Sequence, residues 1–309
     1  MNARSPHQRP GLPTVLALAV AVLAVSSSAP LIAFAAAPAL AIAFWRNGLA
    51  TVALTPITYG PRRAEILGID RRELLFSVLS GVALAAHFAT WMPSVQLGSV
   101  ATATALVATQ PVWQGLIALA QGRRPSAAGW LGIGLAVLGA AWATGADVGV
   151  SGQAVLADVL ALLGAVAAAF YTALGERARV RLSTTTYTWV CYGTCAILLL
   201  IVCLSAGIDL TGYDGRTWAA ILALVVGAQL LGHSMFNYAL QHTSATTVSV
   251  LILLEVPGAA LIAWLWLGQE PRPAALPGLA VLLSGVVVVV LGAARERQTR
   301  PAIDPGLAD

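Results

Sequence analysis

Residues 251–271 read LILLEVPGAALIAWLWLGQEP, and residues 105–125, 146 positions earlier, read ALVATQPVWQGLIALAQGRRP. The two stretches align without a gap, so both carry a proline near the start and a Gly-x-x-Pro loop at the end. Proline kinks a helix and glycine lets two helices approach closely, so these matches have a meaning for the backbone. The shift holds from about residue 87 to residue 139 and pairs His87 with His233, Pro111 with Pro257, Gly122 with Gly268, Pro125 with Pro271, Gly132 with Gly278, and Gly139 with Gly285.

The composition around this repeat is that of a membrane protein. Of 309 residues, 58% are hydrophobic and 10% are charged, and the mean hydropathy is +0.82. A soluble domain has too little interior to hide so much apolar surface, whereas lipid solvates it. The arginines lie in short gaps between apolar segments and form no single basic stripe, which argues against a nucleic-acid partner.

Ten segments are long and apolar enough to cross a bilayer, which takes about 20 residues each. We therefore predict an all-α membrane protein of ten transmembrane helices. An apolar run from Leu12 resembles a signal peptide, but no small-residue cleavage site follows, so it is assigned to the first span. The predicted spans are 13–32, 36–59, 74–93, 98–119, 127–145, 154–175, 185–206, 217–240, 244–267 and 274–293.

The distribution of arginine predicts the orientation. With the N-terminus in the cytoplasm, fourteen arginines fall in cytoplasmic segments and only Arg216 and Arg272 fall outside, which is a strong positive-inside bias. Both termini are then cytoplasmic, and the cell membrane is the predicted location. The predicted organisation is an N-terminal tail (1–12), a first five-helix repeat (13–146), a second (150–293) and a C-terminal tail (294–309). Because five is odd, the second repeat is predicted to be inverted, as in many secondary transporters.

Short motifs in these spans resemble the EamA family of the drug/metabolite transporter superfamily. The resemblance covers about residues 13–293 and is carried by Ala43-Phe44-Trp45-Arg46 closing on Ala50, by Leu97-Gly98-Ser99-Val100-Ala101, by Gln241-His242-Thr243-Ser244-Ala245, and by Leu254-Glu255-Val256-Pro257 followed by Leu265-Trp266-Leu267-Gly268. The family usually has Leu-Gly-Glu after the ninth helix, where this chain has Gln269. The resemblance implies a ten-helix metabolite transporter, often an exporter, with a central cavity lined by the first, third and fourth helices of each repeat.

Polar residues inside the spans are the candidates for the substrate or proton site, because a charge at the centre of a membrane helix costs about 2.5 kcal/mol or more. Glu255 lies near the predicted midplane, with Thr109 as its repeat partner. His87 and His233 occupy equivalent places, with Trp91 and Asn237 four residues on, on the same helix faces. A purely structural role, as hydrogen-bonded groups between helices, is the alternative for each. Ser27, Tyr171 and Gln110 complete the candidate set.

Other intramembrane residues are assigned structural or lipid-facing roles. Arg46 could bind an anionic substrate, but it is placed near the inner end of its span, where its side chain can reach the headgroups, and the structural role is favoured. Pro111 and Pro257 are placed as helix kinks. Cys191, Cys195 and Cys203 share one apolar segment and are interpreted as small buried residues, with no metal site and no disulfide framework indicated.

The sequence shows no catalytic motif, phosphate-binding loop or coupling ATPase, so no enzyme activity and no cofactor are predicted. The expected function is secondary transport, with efflux of a small amino-acid-like or amphipathic solute by alternating access, and with protons as the candidate coupling ion. A passive facilitator is the first alternative. A non-transporting membrane sensor or enzyme is the second, although no output domain or interfacial catalytic cluster is found. Substrate, direction, coupling ion and oligomeric state are left open.

Overall fold

The computed structural model describes residues 12–120, 122, 126–148, 151–233, 235 and 253–299, and these residues form helices and connecting turns without any strand. The all-α prediction is thus confirmed for the described residues. In chain order the helices are α1 (Leu12–Ser26), α2 (Ser28–Phe34), α3 (Ala39–Tyr59), α4 (Arg63–Leu67), α5 (Arg71–Leu97), α6 (Val100–Val107), α7 (Gln110–Ala120), α8 (Ala127–Val148), α9 (Gly152–Ala178), α10 (Thr184–Ser205), α11 (Gly215–Ala223), a π-helix (Leu224–His233), α12 (Glu255–Leu267) and α13 (Leu276–Thr299).

Helix length and composition fit a bilayer. Among the described residues, five helical segments are long and apolar enough to cross one: Ala39–Tyr59, Arg71–Leu97, Gly152–Gly175, Thr184–Ser205 and Gly215–Gly232. Shorter apolar helices run over Leu18–Phe34, Ala127–Trp142, Glu255–Leu267 and Leu276–Val289. Large apolar side chains such as Leu23, Leu131 and Leu265 face outward, where lipid tails can solvate them. The protein is therefore a multi-pass membrane protein.

Two predicted spans are interrupted. The predicted span 98–119 is divided into α6 and α7 by a turn at Ala108 and Thr109, just before Pro111. The predicted span 13–32 is divided into α1 and α2 at Ser27, three residues before Pro30. Proline cannot donate a backbone hydrogen bond and its ring crowds the preceding turn, which explains both breaks. The end of predicted span 217–240 and the start of 244–267 lie outside the described residues.

Helices α8 and α13 pack through glycines in an antiparallel arrangement. A Cβ atom added to Gly132 would lie 2.7 Å from the carbonyl oxygen of Gly285, and one added to Gly139 would lie 2.6 Å from that of Gly278. As residue numbers rise along α8, those of the contacting residues fall along α13, so the helices run in opposite directions. The four glycines are two pairs of the internal repeat. Equivalent helices of the two repeats therefore cross antiparallel, with their backbones in direct contact.

Helices α3 and α10 show the same antiparallel pairing. The indole Nε1 of Trp189 donates to Thr55 Oγ1 at 3.0 Å, and Gly48 lies against Ala196 near the other end of the contact. Helices α5 and α9 are antiparallel as well. His87 pairs with Gly164, whereas Gly98, later on α5, lies against Ala157, earlier on α9. The repeat glycines Gly122 and Gly268 also share a conformation, with φ of 82° and 66°.

The loops form two consistent ends of the bundle. Loops predicted to be cytoplasmic meet at one end, where Arg181 pairs with Asp70 at 3.3 Å. Segments predicted to lie outside are at the other end: the loop residue Gln269 accepts through Oε1 from the backbone N–H of Val100, at the start of α6, at 3.3 Å, and the loop residue Leu210 accepts through its carbonyl from Nε1 of Trp45 on α3 at 2.7 Å. The main apolar core lies between these ends and is built from α2, α3, α5 and α10 with parts of α6, α9, α11, the π-helix and α12.

Candidate functional site

Arg46 occupies the centre of the bundle. It is only 1% exposed, and its Nε donates to Gln229 Oε1 while its Nη1 donates to Ser28 Oγ at 3.0 Å. The guanidinium also lies over the Phe88 ring, 4.7 Å from the ring centre. The prediction that Arg46 reaches the lipid headgroups is therefore wrong. Protein groups on three other helices solvate this charge in place of water, as a buried cation requires.

Local irregularities in the backbone supply two of these partners. Ser27 interrupts the first helix, and its Oγ donates to the carbonyl of Ala24 at 2.7 Å, so that α2 begins anew at Ser28. Gln229 projects from the π-helix, a geometry that is rare and is found frequently at functional sites. The amide Nε2 of Gln229 in turn donates to Asn47 Oδ1 at 3.4 Å. Arg46 and Gln229 are therefore held in one buried hydrogen-bonded cluster.

Glu255 lies within electrostatic range of this cluster. It is the first residue of α12, is partly buried, and interacts electrostatically with Arg46. The aromatic hydroxyls of Tyr171 and Tyr192 lie within electrostatic range of the same guanidinium. A carboxyl group, a guanidinium group and two phenol hydroxyl groups thus lie in one region of the interior, where the low dielectric strengthens the interaction between charges.

His87 and Trp91 lie on the face of α5 that meets α9. His87 Nδ1 is 2.9 Å from the carbonyl oxygen of Gly164, and the His87 and Trp91 rings stack with centres 5.5 Å apart and planes 12° apart. Trp91 is 4% exposed, and its Nε1 is buried without a hydrogen-bond partner among the described residues. A buried donor of this kind costs free energy unless something accepts its hydrogen, so Trp91 is a donor available to a bound solute.

Tyr171 lies on α9, and Gln110, at the start of α7, contacts α9. The backbone carbonyl of Tyr171 accepts a hydrogen bond from Ser80 Oγ at 2.9 Å. The Ser80 hydroxyl also forms a hydrogen bond with the Tyr187 hydroxyl at 2.7 Å. Gln110 Nε2 donates to Thr172 Oγ1 at 2.7 Å, which ties the start of α7 to α9. Of these two candidates, Tyr171 is the one that the structure brings into electrostatic range of Arg46.

Two candidates cannot be placed in the same way. His233 is the last residue of the π-helix, and its side chain lies outside the described residues, as does the whole of Asn237. The proposed symmetric pair of His87 and His233 thus stays a prediction. Pro257 is exposed in the first turn of α12 and Pro111 is partly buried in the first turn of α7. The three cysteines are buried and unbridged.

Three residues of the central cluster were not among the candidates. Gln229, Asn47 and Phe88 are buried around Arg46. Gln229 carried a usable signal, since it is a polar residue well inside an apolar span and such residues usually face the bundle interior. Phe88 carried none, because a phenylalanine in a membrane helix faces lipid as often as it packs inside. No group of three metal-ligating side chains was found among the described residues.

Comparisons with known proteins agree with this architecture. A sequence profile of the EamA-like transporter family matches residues 12–145 and 155–291, one match for each repeat. One solved structure, described only as "Crystal structure of protein", is similar with a TM-score of 0.61 and 20% sequence identity, covering 92% of this chain and 99% of that one. At this identity the likeness shows the fold alone. A search of curated proteins gave no match. Because the family profile covers both halves of the chain, this protein belongs to the EamA-like transporter family.

Proposed function

We propose that this protein is a secondary transporter that exports a small metabolite by alternating access between two inverted five-helix repeats. Family membership supports transport, and the antiparallel packing of equivalent helices supports the inversion. In this arrangement α1–α8 form the first five spans, with α4 as a connecting turn of helix. The second five are α9, α10, the segment from α11 into the π-helix, the segment ending in α12, and α13. Sites at the seam of such repeats are typical of secondary transporters.

The composition of the Arg46 cluster carries the proposal. Ser28 and Phe88 belong to the first repeat, whereas Gln229 and Glu255 belong to the second, so the guanidinium is bound from both sides of the seam. A rocking motion of one repeat against the other changes these contacts. A hydrogen bond to a charged group contributes about 1.5–3 kcal/mol, so exchanging one for a contact with the solute is enough to bias the conformational equilibrium.

The same cluster suggests the chemistry of the solute. Arg46 can bind a carboxylate or another anionic group, and Glu255 or Tyr171 can bind an amino or hydroxyl group. Phe88 and the His87–Trp91 stack provide a neighbouring aromatic surface, with Trp91 Nε1 as a donor that no described residue uses. A small amphipathic or amino-acid-like molecule matches this combination of groups.

Proton coupling through Glu255 is the finer part of the proposal. An ionised Glu255 attracts Arg46, and a protonated Glu255 releases the guanidinium to bind the anionic part of the solute. Proton and solute would then alternate at the cluster, which is the requirement for exchange. His87 is a second group that can carry the proton.

Proteoliposomes test the transport and coupling steps separately. A panel of tritiated amino acids is screened for flux, first as counterflow and then under an imposed pH gradient. We expect Glu255→Gln to abolish pH-driven accumulation while retaining counterflow. Glu270→Gln is the matched control, because Glu270 is an exposed acid in the loop just after α12. If Glu255→Gln leaves pH-driven accumulation unchanged, Glu255 does not couple protons.

A passive facilitator is the competing function, since inverted repeats also occur without coupling. The two are distinguished by accumulation of the solute above its external concentration under a pH gradient. A wild-type protein that equilibrates its solute but never accumulates it under a proton or sodium gradient is a facilitator.

A further inference from the structure

A cavity lined by charged side chains lies at the end of the bundle where α5 begins and α9 ends. It has a volume of about 420 Å³ and is lined chiefly by Asp70, Arg72, Glu73, Phe76, Arg177 and Arg181. Phe76 precedes Phe88 by twelve residues on α5, which at a rise of about 1.5 Å per residue places the cavity roughly 18 Å from the Arg46 cluster along the helix. The cavity is therefore separate from the proposed transport site.

Two arginines in this cavity have no acidic partner within the described part of the chain. The guanidinium carbons of Arg72 and Arg177 each lie 5.8 Å from the centre of the Phe76 ring, and neither forms an ion pair with a described residue. Arg181 differs, because it pairs with Asp70 at 3.3 Å and with Glu73 at 3.8 Å. Among the described side chains that line the cavity, three arginines stand against two carboxylates, which leaves one excess positive charge. The two arginines without an acidic partner both lie over the Phe76 ring.

Glu73 provides a second, independent feature. The residue is 8% exposed, and its Oε2 is buried with no hydrogen-bond donor from any residue that the structure describes. A buried carboxylate oxygen that lacks a donor is costly. The cavity therefore presents a site for an anion at Arg72 and Arg177, and an acceptor for a hydroxyl or amino group of the same ligand at Glu73.

The surroundings place this cavity at the level of lipid headgroups. Leu75 and Val180 are 55% and 80% exposed, and both lie within one turn of the charged groups. Apolar side chains that face outward beside a basic pocket at a helix end are a typical setting for a phospholipid.

We propose that this cavity binds the headgroup of one singly charged anionic phospholipid that carries a free hydroxyl, as phosphatidylglycerol does. The phosphate lies between Arg72 and Arg177, the headgroup hydroxyl donates to Glu73 Oε2, and the acyl chains lie against Leu75 and Val180. A single negative charge on the phosphate neutralises the excess charge of the cavity. Arginine suits this role because its fork of donors matches phosphate oxygens.

Native mass spectrometry of the full chain in detergent, titrated with phosphatidylglycerol, tests the proposal. We expect one lipid to be retained at low concentration, and Arg72→Gln combined with Arg177→Gln to weaken its retention at least tenfold. Arg62→Gln combined with Arg63→Gln is the matched control, since it removes two charges near the same bundle end but outside the cavity. Equal loss in both double variants, or in neither, would overturn the site.

Headgroup selectivity tests the role of Glu73. We expect phosphatidylglycerol to bind at least fivefold more tightly than phosphatidylmethanol, which has the same single charge but no hydroxyl, or than phosphatidylcholine. Glu73→Gln should reduce this preference while the protein keeps its unfolding temperature. Glycerol phosphate and inorganic phosphate form the soluble arm. If either displaces the lipid at equal concentration, the ligand is a soluble phosphate and the lipid assignment is wrong; tighter binding of phosphatidylethanolamine would likewise overturn it.

Discussion

Replacing Gly139 with alanine is expected to destabilise the contact between the two repeats. A methyl group at this position would lie 2.6 Å from the Gly278 carbonyl oxygen and closer still to the backbone nitrogen of Leu282. Both neighbours are backbone atoms, so no side chain can rotate away to make room. Helices α8 and α13 would have to separate by several tenths of an ångström along their whole contact.

The magnitude follows from two opposing effects. Forcing a methyl group into a closely packed interior costs about 1–3 kcal/mol. Alanine is a better helix former than glycine by about 1 kcal/mol, which offsets part of this cost. Gly134 on the same helix has no atom within 4 Å of an added Cβ, so Gly134→Ala gains the helical term without the clash. The difference between the two variants, about 1–3 kcal/mol, isolates the steric contact.

Unfolding in mixed micelles with increasing SDS, followed by circular dichroism, measures this difference. Gly285→Ala is a further check, because its added Cβ would lie 2.7 Å from the Gly132 carbonyl oxygen across the same contact. We expect Gly139→Ala and Gly285→Ala to unfold at lower SDS fractions than wild type, and Gly134→Ala at an equal or higher one. Equal stability of Gly139→Ala and Gly134→Ala would refute the glycine-mediated packing of the repeats.

Three further perturbations are expected to give clear outcomes. Gln229→Ala leaves the buried Arg46 without the acceptor of its Nε hydrogen bond and should cost about 2–4 kcal/mol of unfolding free energy in the same assay. The control is Gln153→Ala, which removes an exposed bond to the Leu97 carbonyl and should cost well under about 1 kcal/mol. Trp91→Phe removes a donor that has no partner among the described residues, so it should cost only the packing of the smaller ring, about 1–2 kcal/mol, while raising the KM for transport. Trp45→Phe, which loses both packing and the bond to Leu210, should lower stability by more. Asp214 caps α11 by accepting from the Thr217 N–H at 2.8 Å, and hydrogen bonding to the side chain and then the backbone of Thr217 lowers the pKa of its carboxyl. Because the folded pKa is the lower one, the stabilisation is present above the usual aspartate range and is lost as pH falls through the folded pKa. The stability difference between wild type and Asp214→Ala should therefore shrink in acid.

The repeat was predictable from sequence because its signals are backbone signals. Gly122 and Gly268 were paired by position alone, and both adopt the left-handed conformation that favours glycine. Gly132 and Gly139 were paired with Gly278 and Gly285, and the same four residues form the contact between α8 and α13. The sequence predicts such positions correctly because two helix backbones in direct contact leave no room for a side chain larger than that of glycine.

The centre of the site was less predictable because it depends on which way a helix faces. Arg46 was assigned to the headgroups, but its acceptor Gln229 is 183 residues away in the chain, and no local pattern connects the two. The π-helix that directs Gln229 inward has an apolar sequence like that of any membrane helix. Glu255 was recognised because a carboxyl in an apolar span is costly wherever it faces. What the sequence could not supply was the partner of each charge.

The inverted arrangement of the repeats can be measured directly with single cysteines at equivalent positions. The three native cysteines are changed to alanine, and Arg124→Cys and Glu270→Cys, which the 146-residue shift pairs, are made separately. A membrane-impermeant maleimide is then applied to intact cells and to permeabilised cells. We expect Glu270→Cys to be labelled in intact cells and Arg124→Cys only after permeabilisation. Labelling of both positions from the same side would contradict inverted repeats, and with them the alternating-access mechanism.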